Sequence, residues 1–291
     1  MNGKFTSNDL PQQTLGGMEF VPGLPACSMK SAMRLLVTML VVQAAASLEY
    51  PSTLTAALDR GMLVPVDNGR VHVLGTVHAG SASAAEAAAL CEWIAPDATV
   101  VVEATQARVE KMRSGRGAPR APRREADLGL LADLVLSTNS FAGACFGALV
   151  WLELRDVGDV DDDEESEFEA AVVAAGERRV IGADWDFGEL TTRARRVGWR
   201  EWLNVFMNRG KDPIKRRPSE SASDWIDRRR SVACAAESCA YQARTAPALH
   251  RVLVSDRDRA FAEAVPREGP AAVVVGLAHV PGVVRWLKDG S

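Results

Sequence analysis

Residues 71–103 read VHVLGTVHAGSASAAEAAALCEWIAPDATVVVE, and their order decides the fold. The stretch opens on a short apolar run, Val71-His72-Val73-Leu74-Gly75, with the character of a buried strand. Residues 81–94 are Ala-rich and predict a helix, with Ser81 or Ser83 as N-cap and Glu86 in the first turn, where a carboxylate suits the helix dipole. Pro96-Asp97 turn the chain, and Thr99 to Val102 form a β-branched run typical of strands covered on both faces. Strand, helix and strand in succession make a β–α–β unit, which favours a parallel sheet.

The same grammar continues outward. Short strands are predicted at 179–182 and 271–275, and helices at 53–60, 125–137, 140–154, 199–209, 222–243, 246–265 and 280–288. Phe168, Ala171, Val172 and Ala175 give a further helix an apolar face behind the acidic run 161–165. Residues 113–124, RSGRGAPRAPRR, are rich in Arg, Gly and Pro and predict a flexible insertion. The ordered α/β domain is placed at 65–291, behind a polar, Gly/Pro-punctuated segment at 1–28 expected to be disordered and an apolar segment at 29–50. That apolar segment, with Lys30 and Arg34 ahead of residues 35–42, reads as a docking helix, a targeting segment or a surface anchor. It falls short of the roughly 20 apolar residues of a membrane span.

Bulk composition narrows the class. A chain of 291 residues with 47% hydrophobic and 25% charged residues and a net charge of −4 is an ordinary globular protein, with no basic excess or motif for nucleic acid. The five cysteines, Cys27, Cys91, Cys145, Cys234 and Cys239, are odd in number and lack C-x-x-C, which argues against a disulfide framework or a zinc knuckle. No G-x-S-x-G elbow, Walker A loop or G-x-G-x-x-G helix opening is present.

The chemistry gathers at strand ends. Gly75-Thr76-Val77-His78 follows the first of these strands and Gly276-Leu277-Ala278-His279 the last, two of the four His of the chain in one frame. Glu103 directly follows the second strand, and Asp184 follows Gly182 and Ala183 at the end of the third. Four strands thus deliver His, Glu, Asp and His to the carboxyl edge, where open α/β sheets bind ligands. Imidazoles and carboxylates there are ligand types for Zn, Mn, Fe or Co, and equally the groups that cap loops by hydrogen bonding. Arg257 lies on the apolar stripe of its helix, four residues from Leu253 and from Phe261. A guanidinium there needs a carboxylate such as Glu103 or a substrate anion, unless it snorkels to Asp256 or Glu263. Arg108 is a second candidate for holding a carboxylate.

In order, Val73-Leu74-Gly75-Thr76-Val77-His78, Val100-Val101-Val102-Glu103 with Arg108, Glu167-Phe168 with Ala170-Ala171, Asp256-Arg257-Asp258 and Val274 to Gly282 resemble the TraB family, which includes bacterial pheromone-shutdown proteins, and more distantly the Tiki metalloproteases. The resemblance covers residues 71–287. It implies a central, mostly parallel sheet flanked by helices, of the erythromycin-esterase, ChaN and Tiki kind. It implies an active site of the two G-x-x-H motifs and the Glu, and, by the Tiki likeness, a Mn- or Co-dependent peptidase. Eukaryotic TraB proteins are linked to mitochondrial and endoplasmic-reticulum membranes, some as tethers. Trp185 stands where the family carries Arg, with Arg193 or Arg196 as substitutes, and Asp256-Arg257-Asp258 replaces the family's E-R-D.

Two expectations follow. One is a metal-dependent hydrolase acting on a peptide or protein substrate. His78, His279, Glu103 and Asp184 would hold a divalent Mn, Co, Zn or Fe. Glu103 would serve as general base if it is not a ligand, with Arg257 and Arg108 on a substrate carboxylate or oxyanion. The other is a non-catalytic module that binds a peptide in the same cleft or associates peripherally with a membrane through residues 29–48.

Overall fold

The computed structural model describes residues 49–77, 81–115, 140–157, 166–217 and 219–289. All belong to the second of two units into which the chain divides, residues 44–291. The expectations for residues 1–28 and 29–48, for the insertion beyond residue 115, for a helix at 125–137, for the acidic run at 161–165 and for His78 lie outside the described residues.

A five-stranded mixed sheet forms the centre, in the order β1-β2-β5-β3-β4. The strands are β1 (Leu63–Val66), β2 (Val71–Thr76), β3 (Thr99–Val102), β4 (Val180–Gly182) and β5 (Ala271–Gly276). β1 is antiparallel to β2, and the other four strands are parallel. β5 lies between β2 and β3, pairing Val73 with Val273 on one side and Val101 with Val273 on the other. Its sequence, AAVVVG, is buried at every position, as a central strand covered on both faces must be.

Two helical layers cover the sheet. The pleat of β2 sends His72 and Thr76 to one face, toward Trp93 of α2 (Ser81–Trp93) and Glu167 of α5 (Glu167–Ala175). Gly75 faces the other way, against Leu277 and Val280 at the start of α12 (Val280–Asp289). α12 packs beside α11 (Asp256–Ala264). Between α2 and α5 in the chain come α3 (Gln106–Arg113) and α4 (Phe141–Val157), and α1 (Ser52–Asp59) precedes the sheet. The main core joins the sheet to both layers. A second, smaller core is built by helices alone: α4, α6 (Phe187–Ala194), α7 (Trp199–Asn208) and α10 (Pro247–His250) meet around Cys145, Ala194, Trp202 and Leu249. Glu201 of α7 accepts the Ala248 and Leu249 amides at 2.9 and 3.2 Å, capping α10 from outside.

Three features depart from the sequence reading. The sheet begins before residue 65, because β1 precedes β2; the helix expected at 53–60 is α1. β1 joins β2 through Asp67-Asn68-Gly69-Arg70, where Asp67 and Asn68 adopt φ of 52° and Gly69 of 83°. Where one helix is expected at 222–243, the chain makes α8 (Ala222–Arg229) and α9 (Val232–Thr245), interrupted at Arg230-Ser231. Of the segment expected to be helical at 246–265, residues 247–264 are so but not uniformly: α10 leads through a π turn, Arg251–Ser255, into α11. No described helix is long and apolar enough to cross a membrane.

A side chain at position 75 would come within 2.6 Å of Val280 Cγ2 and 3.1 Å of the Leu277 Cα. Gly75→Ala is therefore expected to cost about 1–3 kcal/mol by overpacking, read as a lowered urea midpoint at unchanged slope.

Candidate active site at the carboxyl edge of the sheet

The central cation of the edge is Arg257. Its Nε donates to Asp184 Oδ1 at 2.8 Å and its Nη2 to Asp184 Oδ2 at 2.8 Å, a two-pronged pair with a carboxylate just beyond β4. Nη2 also donates to Glu103 Oε1, and Nη1 to the Leu253 carbonyl at 3.1 Å. The guanidinium lies over the Phe261 ring, 5.4 Å from its centre. The snorkelling alternative is not the one realised. The π turn runs directly into the helix that carries Arg257, and wide turns of this kind leave a helix with carbonyls that other groups can use.

Glu103 is pinned from its other side. Its Oε2 accepts the Gly276 amide at 2.5 Å, which ties the end of β3 to the end of β5. His279 sits on a single 3₁₀ turn, Leu277–His279, and its Nδ1 lies 2.7 Å from Asp258 Oδ1. The ring meets Phe261 edge-on at 5.1 Å. A Cβ at position 282 would overlap the Asp258 carboxylate, so Gly282 is what lets Asp258 approach His279 across α12. Glu103, Asp258 and His279 are buried, and Asp184 and Arg257 are the members of the cluster that reach solvent, at 15% and 12% side-chain exposure.

The proton on His279 follows from charge. Glu103 and Asp184 face the guanidinium, and Glu103 and Asp258 face the ring. Burial alone would lower the pKa of the ring, but Glu103 and Asp258 outweigh it and push it up to about 9. The ring is then an imidazolium at neutral pH, with Nδ1–H on Asp258 and Nε2–H toward Glu103 Oε1 at 3.5 Å. Nε2 also lies 3.2 Å from Arg257 Nη1, a spacing that would suit a hydrogen bond to a neutral ring. We assign the charged form, because Glu103 and Asp258 stand on either side of the ring. Burial raises the Asp258 carboxyl above its ordinary value, with His279 pulling the other way.

Four of the six site residues read from the sequence thus meet: Glu103, Asp184, Arg257 and His279. Arg108 does not join them; it is exposed on α3, and its backbone amide is capped by Thr105. His78 lies outside the described residues; Val77, which precedes it, is held at both backbone groups. Ser83 Oγ bonds both the amide and the carbonyl of Val77, at 3.3 and 3.1 Å, and itself accepts from buried Arg230, which is paired with Glu86. Trp185 stacks under Arg193 at 3.8 Å, while the cation that Asp184 holds is Arg257.

Asp258 is the member that sequence reasoning missed. It was visible as the second acid of Asp256-Arg257-Asp258, one residue beyond the recognised arginine. No protein-family model matches the chain, and no curated protein does.

Replacing Arg257 by Met removes the guanidinium to which Glu103 and Asp184 are both bonded and is expected to cost about 3–5 kcal/mol. Arg257→Lys should recover only part of this, since an ammonium cannot bridge both acids; denaturant titration of the three proteins checks it. The raised His279 pKa has a definite sign. Its stabilisation is complete below the unfolded value near 6.5 and disappears as pH rises toward 9, a loss on the order of 3 kcal/mol. Unfolding midpoints from pH 6 to 9 should fall for the wild type and lose most of that slope in His279→Gln.

Proposed function

We propose that the chain is a hydrolase of peptides, with its active centre at the Glu103–Arg257–His279 cluster. The observation that carries this reading is the Asp258–His279 pair set beside a guanidinium-bound Glu103 at the carboxyl edge of a parallel sheet. Burying Glu103, Asp258 and His279 together is a poor route to stability. A carboxylate that fixes the ring and charge of an imidazole is a recurrent catalytic device.

The divalent metal implied by the family resemblance fits this arrangement poorly. Glu103, Asp184 and His279 do converge, but the guanidinium of Arg257 occupies the point of convergence. Both Asp184 oxygens and Glu103 Oε1 are bonded to it, Glu103 Oε2 holds the Gly276 amide, and His279 Nδ1 holds Asp258. Among the described residues no group of three or more His, Cys, Asp or Glu could hold an ion. We therefore route no step through a metal.

Glu103 takes a proton from water as the water oxygen attacks the peptide carbonyl. Arg257 stabilises the oxyanion, and its exposed edge is where substrate arrives. His279 gives its Nε2 proton to the departing nitrogen as the C–N bond breaks. The proton on Glu103 then returns to His279 across the 3.5 Å between them, which restores both groups.

Glu103→Gln and His279→Ala are each expected to lower peptide turnover at least about 100-fold with the circular dichroism spectrum retained. Hydrolysis that survives both changes overturns the reading. Metal analysis of the same preparations accompanies the assay: stoichiometric Mn, Co, Zn or Fe lost in His279→Ala would restore the metal-dependent form.

One observation favours the second reading, a non-catalytic binding or membrane-tethering module. Trp199, Leu203 and Met207 follow one another at helical spacing on α7 and are 61%, 49% and 73% exposed. Co-sedimentation with liposomes that is lost on changing Trp199 and Met207 to Ser, in a protein without peptidase activity, would favour it.

A further inference from the structure

A pocket of about 460 Å³ opens in the helical part of the unit, between α4, α7, α9 and the α10–π segment, and its volume is within the range of small-ligand sites. Its apolar walls are Phe146, Leu149 and Val150 of α4, Val205 of α7, and Leu249 and Leu253 of the α10–π segment. Glu103, Asp184, Arg257 and His279 take no part in the lining. Leu253 lines the pocket and gives its carbonyl to Arg257 Nη1 at 3.1 Å, so the pocket abuts the cluster without belonging to it.

The charged groups of the lining are already engaged. Asp212 Oδ1 accepts from Ser238 Oγ at 2.8 Å and from the Ile214 amide at 3.1 Å, and Oδ2 accepts from Gln242 Nε2 at 3.0 Å. Arg209, Lys215 and Arg229 have interactions of their own, and none is a free cation awaiting an anion. Tyr241 donates its hydroxyl to the Asn208 carbonyl at 2.7 Å, and Asn208 Nδ2 donates to Asn204 Oδ1 at 2.6 Å. His250 brings no charge at neutral pH, because burial lowers its pKa, and its Nε2 is itself buried. Thr245 adds one hydroxyl. A charged occupant would give up its hydration here and find no free counter-charge, whereas an apolar body gains by leaving water.

We propose that this pocket binds an uncharged molecule with an apolar body and one hydroxyl, the chemistry of a medium-chain alcohol, with the body against Phe146, Val150, Val205 and Leu253 and the hydroxyl at Thr245. The site is independent of the hydrolase reading. Its test is binding, so that failure to bind and failure to hydrolyse are separate results.

The probes are hexan-1-ol, octan-1-ol, octanoate and octylammonium, titrated calorimetrically into the full chain. Octan-1-ol is expected to bind at one site, about tenfold more tightly than hexan-1-ol, the gain from burying two more CH₂ groups. It should also bind at least about tenfold more tightly than octanoate or octylammonium, which carry an uncompensated charge. Thr245→Val should weaken octan-1-ol about fivefold, the size of one lost hydrogen bond. Val150→Trp fills the pocket from α4 and Val205→Trp from α7, and each should abolish binding with the circular dichroism spectrum retained; where one of them fails to fold, the other decides. The proposal is overturned if octan-1-ol does not bind the wild type, if either charged probe binds as tightly, or if Thr245→Val or a folded filling variant keeps the wild-type affinity. Binding at several equivalent sites would mark adventitious attachment to exposed apolar surface such as Trp199 and Met207, and overturns it as well.

Discussion

The carboxyl edge of this sheet is held together by one guanidinium. Arg257 joins the residue after β3, the residue two beyond β4 and the carbonyl of a π turn, and through Glu103 it reaches the amide at the end of β5. Those contacts replace the hydration of every group involved, and a buried guanidinium or carboxylate survives desolvation only with such replacement. Arginine suits the place because its planar donors reach several acceptors at fixed angles, whereas a lysine would satisfy one or two. The strand ends and the helix that carries Arg257 thus depend on each other electrostatically, in addition to the apolar contacts of the core.

Close packing makes this possible. Gly75 lets the turn bearing His279 lie directly on β2, and Gly282 lets Asp258 reach the imidazole from the neighbouring helix. Both glycines are there for what approaches them. The first sets the height of His279 above the sheet, and the second sets the carboxylate that orients and charges the ring. The π turn adds a third adjustment, since a wider turn upstream presents the Leu253 carbonyl to the guanidinium.

The order of these elements was readable because hydrophobic period and strand-end chemistry are local properties. The β–α–β unit at 71–102, the positions of β4 and β5 and the placement of Glu103, Asp184 and His279 at strand ends follow from them. So does the need of Arg257 for a carboxylate, since its place on an apolar stripe admits few partners. What escaped depended on tertiary structure or on a weaker signal. β1 is four residues long and contains Pro65, which demotes a strand pattern, although Asn68-Gly69 is a hairpin signal that could have identified it. The insertion of β5 between β2 and β3 has no local signature. The break at Arg230 is invisible to periodicity, because that arginine turns inward to a buried Glu86. Arg108 was read by its nearness in sequence to Glu103, yet a helix begins at Gln106 and carries it to the surface.

The chemistry open to the cluster is governed by where protons rest. An imidazole between two carboxylates keeps its proton through neutral pH, so His279 is suited to give a proton away and poorly suited to remove one. On the proposed hydrolytic reading the general base would be another group, and within the described cluster that is Glu103, the one carboxylate that faces both the guanidinium and the imidazolium. Holding Glu103 between the two cations places a guanidinium and an imidazole proton donor beside the same oxygen, Oε1, the imidazole Nε2 at 3.5 Å. Catalysis of this kind gains from fixed charges set where charge develops, more than from the intrinsic strength of the base. The burial that makes the cluster expensive as a fold device is, on this argument, the condition under which its charges act strongly on a bound substrate.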